Sequence, residues 1–252
     1  MAQNKDRDAS LSSRYLFRSF TVNQPYDTLE PNFGYALSGA QRNRVLRNTY
    51  WLLAISMVPT ILGAWIGVET GVAAVFNGIL GFVLMLAGML GFIYAIERTK
   101  NSAAGVPVLL GFTFFMGLIL SRLIGHVLGF RNGAELVMTA FGGTAGVFFV
   151  MASLATVIKR DLSGMGKWLF VGVVILLVAS VINVFLGSSA LMLAMSVISM
   201  AIFSAYMLYD LKQIIDGGET NYISATLALY LDIINVFQTL LSLLGIFGGE
   251  RD

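Results

Sequence analysis

The chain has 252 residues, of which 57% are hydrophobic and only 12% charged, with a formal net charge of +2 and no cysteine. Soluble globular domains carry roughly 25% charged residues, and here the charges are also clustered, which excludes a soluble domain as the bulk of the molecule. The missing cysteines exclude disulfides, thiolate metal sites and cysteine nucleophiles.

The first 47 residues hold seven of the sixteen Lys and Arg, together with Asp6, Asp8, Asp27, Glu30, Pro25 and Pro31. No apolar core follows the early basic residues, so a cleaved signal peptide is not expected. Residues 1–43 read as a polar, flexible cytoplasmic tail, with the first helix starting at Gln41-Arg42-Asn43-Arg44. Beyond it, uncharged runs cover 48–68, 70–96, 101–121, 136–158 and 168–209, and a sixth, 220–249, is broken only by Asp232. A spanning helix needs about 20 apolar residues. The 42-residue run from Trp168 to Tyr209 therefore accommodates two spans, with Gly187-Ser188-Ser189 as the turn. The expectation is an all-α integral membrane protein over residues 44–252, a bundle of seven transmembrane helices. The spans fall at about 49–68, 72–95, 104–123, 136–157, 168–186, 190–215 and 222–247.

Basic residues set the orientation. With the N-terminus inside, thirteen of the sixteen Lys and Arg fall on the cytoplasmic side, leaving Arg122, Arg131 and Arg251 outside. The positive charge is thus a topology signal and gives no reason to expect nucleic acid as a partner. The expected location is a cell inner (plasma) membrane, with the C-terminus periplasmic or external.

Small residues suggest where helices meet. Gly142 and Gly146 in the fourth span, and Gly78, Gly81, Gly88 and Gly91 in the second, have spacings that permit close backbone approach. His126 lacks a second histidine and reads as interfacial, and Asn183 as an interhelical hydrogen-bonding residue. The zincin and serine-hydrolase motifs are missing, so an enzyme is not expected, and no cofactor is implied.

"LALYLDIINVFQTLL", residues 227–241, carries a carboxylate among leucines and isoleucines. Burying such a charge in hydrocarbon costs about 2.5–3.5 kcal/mol on the most lenient scale, which makes Asp232 a functional candidate. On a helix of about 100° per residue, Ala228, Asn235, Gln238, Thr239 and Ser242 lie on one side of Asp232. This polar stripe must face protein or water, so the helix belongs in the centre of the bundle. Asp210 lies on the preceding span, shortly before Gly217-Gly218, a plausible helix stop. Thr220 and Asn221 are candidate N-caps for the last helix. A symmetric hairpin offsets Asp210 and Asp232 by roughly 9 Å of rise, so their contact requires tilt or an asymmetric turn.

"IIDGGETNYISATLALYLDIINVFQTLLSLLG" (214–245) resembles the C-terminal signature of the Bax-inhibitor, or transmembrane Bax-inhibitor-motif, family. "RVLRNTYWLL" (44–53), "FGGTAGVFF" (141–149) and "KRDLSGMGKWL" (159–169) are similar to its bacterial YccA-like branch. The resemblance covers residues 44–252 and implies seven helices with the C-terminal helix central. It also implies a proton-sensing pair in calcium-leak members, at the positions of Asp210 and Asp232, and a basic partner loosely matched by Arg98. Those members can carry a glutamate inside the second helix, where this chain has no acid between Glu69 and Glu97. The YccA-like branch implies binding to the membrane AAA protease FtsH.

Three readings stay open at this level. The first is a pH-sensitive cation (calcium) leak in which Asp210 and Asp232 share one proton, giving a pH dependence between about 5 and 8. The second is modulation of FtsH without transport. In the third, Asp232 is hydrogen-bonded by Asn235 or tyrosines and only fixes helix register. The partners implied are the bilayer, calcium or other cations, and FtsH.

Two tests follow from the sequence. A reporter fused at residue 252 should show the C-terminus outside, and cytoplasmic reporter activity would overturn the seven-span orientation. A polar tail offers an AAA protease a place to begin pulling. Deleting residues 2–40 should leave the bundle folded but alter its association with the protease; equal co-purification and equal client turnover would remove that idea.

Overall fold

A computed structural model describes residues 39–76 and 78–249. Its seven long helices are α1 (Gly39–Thr70), α2 (Gly78–Thr99), α3 (Gly105–Leu128), α4 (Gly133–Val157), α5 (Met165–Leu186), α6 (Ser189–Asp216) and α7 (Tyr222–Gly248). All seven are long and apolar enough to cross a membrane, and no strand occurs among the described residues. The predicted tail, apart from its last five residues, lies outside the described residues.

The helices extend past their apolar cores. α1 begins at Gly39, inside the segment expected as tail, and α3 runs on to Leu128 rather than ending near residue 123. Charged side chains at a membrane surface reach water through their apolar stems, so helix geometry continues beyond the hydrocarbon. The second span departs most from expectation. Gly71 and Gly78 adopt φ of 65° and 69°, and between them Val72–Phe76 forms a short 3₁₀ turn. Those two left-handed positions break the helix, and α2 starts six residues after the expected 72.

Local sequence also sets the turns between helices. Gly187 (φ 60°) ends α5 and Ser188 caps α6, its hydroxyl accepting from the Leu191 N–H at 3.2 Å. Gly217 (φ 82°) ends α6, and the Asn221 side-chain oxygen accepts from the N–H groups of Ile223 and Ser224 at 2.9 and 3.2 Å. Asn183 serves the α5–α6 turn, accepting from the Ser188 N–H at 3.1 Å, in place of the interhelical role expected for it. His126 is exposed and meets Phe130 edge-on. In the α4–α5 loop, the N–H and hydroxyl of Ser163 hold the Asp161 carboxyl below the usual carboxylate range.

α7 is the centre of the bundle: it touches α1, α2, α3, α4 and α6, and ten of its residues are buried. α5 lies at the periphery, packs on α6 and buries no residue. The most extensive helix pair is α1 with α3. A Cβ on Gly63 would overlap the Phe114 carbonyl oxygen, and one on Gly117 the Thr60 carbonyl oxygen. By contrast, Gly142, Gly146 and Gly91 face open space, so spacing alone misplaced the close approach. Of the expected set, Gly81 meets the Phe76 backbone and Gly88 the Phe115 ring.

The N-terminal end of α1 and the loops 100–104, 158–164 and 217–221 share one face. Arg42 donates to the Ile215 carbonyl, and Asn221 donates to the Lys100 carbonyl at 3.1 Å. Lys212 acts electrostatically on Asp161. The opposite face joins the α3–α4 loop to the end of α7, where Asn132 donates to the Gly248 carbonyl at 2.6 Å.

Gly117→Leu forces α1 from α3 and should destabilise the bundle by about 1–3 kcal/mol, read as a lowered unfolding midpoint in detergent. Gly142→Ala, in open space, should leave the midpoint unchanged.

Candidate functional site

Two helix ends and a glycine turn build the site. The turn at Gly217 folds α7 back along α6, its entry fixed by the Asn221 cap. The resulting hairpin removes the offset expected from sequence: the Asp210 and Asp232 carboxyl groups come within hydrogen-bonding reach of each other. Two carboxylates cannot bond to each other without a proton, so one of the pair must donate.

Asp232 is 4% exposed, and no N–H or hydroxyl among the described residues reaches its Oδ2. Asp210 is half-buried. Below Asp210 lies a cavity of about 300 Å³ lined by Tyr209, Asp210, Gln213, Ile214, Gly218, Glu219, Ala225 and Ala228. Ala225 and Ala228 keep the α7 wall low, and Asp232 sits one turn beyond Ala228. The cavity thus ends at Asp210, with Asp232 behind it.

The groups facing the pair are acidic or neutral. Glu219 acts electrostatically on Asp210, while its Oε1 accepts from the Asn221 N–H at 2.7 Å. Tyr206, one turn before Asp210, lies within electrostatic reach of both aspartates. Lys212 turns away from them to Asp216, at 2.9 Å. Neither Glu219 nor Tyr206 stood out in the sequence. Glu219 looks like one more loop acid, and only the α6–α7 turn brings it over the cavity.

Arg98 does not reach the pair. The buried positions of α2 are Gly81 and Ile96, and Arg98, two residues past Ile96, falls on the exposed side. It forms no ion pair with either aspartate. The polar stripe is less of a network than its spacing suggests. Asn235 donates to the Leu231 carbonyl on its own helix at 2.7 Å and does not bond Asp232. Gln238, Thr239 and Ser242 are half-buried. Polar side chains in apolar surroundings commonly satisfy themselves on the carbonyl one turn back, and Thr226 does the same with Tyr222 at 2.7 Å. Among the described residues, no group of three or more His, Asp or Glu is placed to hold a metal ion.

The other side of α7 is anchored. Tyr230 is fully buried, edge-on to Phe112, with its hydroxyl 2.8 Å from Thr60 Oγ1 and 3.3 Å from the Thr113 carbonyl. Thr60 Oγ1 lies equally close to the Ser56 carbonyl, at 2.8 Å. The Tyr230 hydroxyl thus ties α7 to α1 through Thr60 and to α3 through the Thr113 carbonyl, to which it donates. Two residues apart on one helix, Tyr230 and Asp232 point in opposite directions, one to the α1–α3 pair and the other to α6.

The family model described as "Inhibitor of apoptosis-promoting Bax1" matches residues 42–249. An uncharacterized protein of Neisseria meningitidis is 37% identical over 221 residues, covering 86% of this chain and 97% of the relative. Proteins named "Modulator of FtsH protease YccA", in Escherichia coli K12, and "Inner membrane protein YccA", in Escherichia coli O6:H1, are each 36% identical over 203 residues. That alignment covers 81% of this chain and 90% of either relative. With seven helices able to cross a membrane and a match over nearly all the described residues, the chain belongs to the Bax-inhibitor family of membrane proteins.

Proposed function

We propose that the Asp210–Asp232 pair is a proton-sensing gate for cation passage from the cavity beneath it. The observation that carries this reading is the close approach of two carboxyl groups beside a cavity lined by Asp210 and Glu219, with no basic partner among the described residues. A carboxyl–carboxylate bond is short and strong while one proton is shared, and it holds α6 to α7. When pH rises and the proton leaves, two anions face each other in a low-dielectric site and repel. α7 is held to α1 and α3 through Tyr230, so α6 is the helix that yields. A second proton, gained at low pH, removes the charge and weakens the bond. Glu219 and Asp210 make the cavity attractive to cations, calcium among them.

Flux of calcium or potassium into liposomes containing the purified protein tests the gate. Flux should be lowest where the pair holds one proton and rise as that proton is lost. Asp232→Asn supplies an amide donor that does not titrate and should flatten the pH profile, as should Asp210→Asn. Glu219→Gln should reduce flux severalfold while a pH dependence remains. Absence of wild-type flux at every pH rejects the leak, and a full pH profile in both aspartate variants rejects the paired sensor.

A second reading, modulation of an FtsH-type membrane protease, is supported by the 36% identity to the Escherichia coli protein named for that role. The two readings are compatible. Affinity capture of the full chain from membranes, with client turnover measured in parallel, tests the second. Failure to retain the protease and unchanged turnover would reject it.

A further inference from the structure

The face opposite the aspartate pair carries a second cavity, of about 230 Å³, between α1, the 3₁₀ turn and α3. Its lining is Gly67, Val68, Gly71, Ala74, Ser121, Arg122 and Gly125. The glycines make the space. A Cβ on Gly67 would overlap the Ser121 hydroxyl, and Gly71, at φ 65°, ends α1 and starts the 3₁₀ turn that packs back on α3. Ser121 gives its proton to the Leu118 carbonyl at 2.6 Å. Arg122 is thus the charged donor at the cleft. It makes no hydrogen bond or ion pair among the described residues, and a guanidinium offers five N–H donors.

Among the described residues, no acid lines the cleft with it. Glu69 follows Val68 in sequence but is exposed, does not line the cleft and forms no ion pair with Arg122. His126, one turn on, meets Phe130 edge-on. Arg122 lies six residues before the end of α3 at Leu128, about 9 Å of rise, at the end of the uncharged run 101–121. Val72 and Val75, on the 3₁₀ turn that supplies Ala74, are exposed apolar side chains at the mouth.

We propose that this cleft binds the phosphate of an anionic glycerophospholipid headgroup, with Arg122 as the cationic donor and the acyl chains continuing onto the apolar surface. A guanidinium matches phosphate oxygens bidentately. A zwitterionic headgroup also brings an ammonium, for which the cleft offers no carboxylate. The occupant is therefore a lipid of phosphatidylglycerol type.

The test is the thermal unfolding midpoint of the purified full chain in phosphate-free, uncharged detergent, titrated with phosphatidylglycerol, phosphatidylcholine or inorganic phosphate. Phosphatidylglycerol should raise the midpoint saturably, and Arg122→Gln should weaken its apparent affinity about tenfold, the loss of one charge-assisted contact. Arg122→Lys should retain part of the effect. Should Arg122→Gln fail to fold, Gly125 decides. Gly125→Leu keeps the charge but fills the cleft and should abolish the response. Gly125→Ala, whose Cβ would sit 3.8 Å from Val68, should preserve it. Equal stabilisation by phosphatidylcholine, or an unaltered phosphatidylglycerol response in both Arg122→Gln and Gly125→Leu, overturns the proposal. Stabilisation by inorganic phosphate at the same concentrations makes the site one for a free anion and overturns it equally.

Discussion

A polar group inside this bundle has to find its partner within the protein, because hydrocarbon supplies none. Most side chains meet that constraint locally. Thr60, Thr144, Thr226 and Asn235 all bond to the carbonyl one turn back on their own helix. A carboxyl group cannot do this without a proton, and Asp232 has no donor within reach of Oδ2. Its neighbour is another acid, Asp210 on α6, and a bond between the two requires that one of them carry a proton.

That contact matters because the rest of α7 is fixed. Tyr230 bonds Thr60 and the Thr113 carbonyl and meets Phe112 edge-on, and the α1–α3 pair behind it is drawn together by glycines on both helices. α6 also packs through apolar side chains, with Met207, Leu211 and Ile214 buried in the shared core, so the aspartates are a polar contact set among hydrophobic ones. On the proposed function, a change of one proton at that contact moves one helix rather than loosening the whole fold. The cavity beneath Asp210, with Glu219 in its lining, lies beside it.

The glycines show how far sequence spacing carries. The four-residue interval of Gly142 and Gly146 is the pattern expected of close helix contact, yet both face open space. The same interval at Gly63 and Gly67 does face α3, opposite Gly117 and Ser121, so spacing permits a close approach and the crossing of the two helices decides which glycines use it. A similar limit applies to Arg98. Its position at the end of α2 suggested a basic partner for the acids, but the helix turns it outward, away from buried Ile96.

The sequence by itself determined the solvent, the number of helices and most of their turns. Those features depend on local quantities: apolar run length, the left-handed tolerance of Gly187 and Gly217, and the capping oxygen of Asn221. It also singled out Asp232, since the cost of a buried carboxylate is legible from its neighbours in the chain. Tertiary structure decided everything that depends on distance between helices. The α6–α7 hairpin brought Asp210 to Asp232 and placed Glu219 in the cavity lining. The α1–α3 crossing chose which glycines were needed and left Arg122 beside a cleft. Helical periodicity states which way a side chain points, and only packing states what it meets.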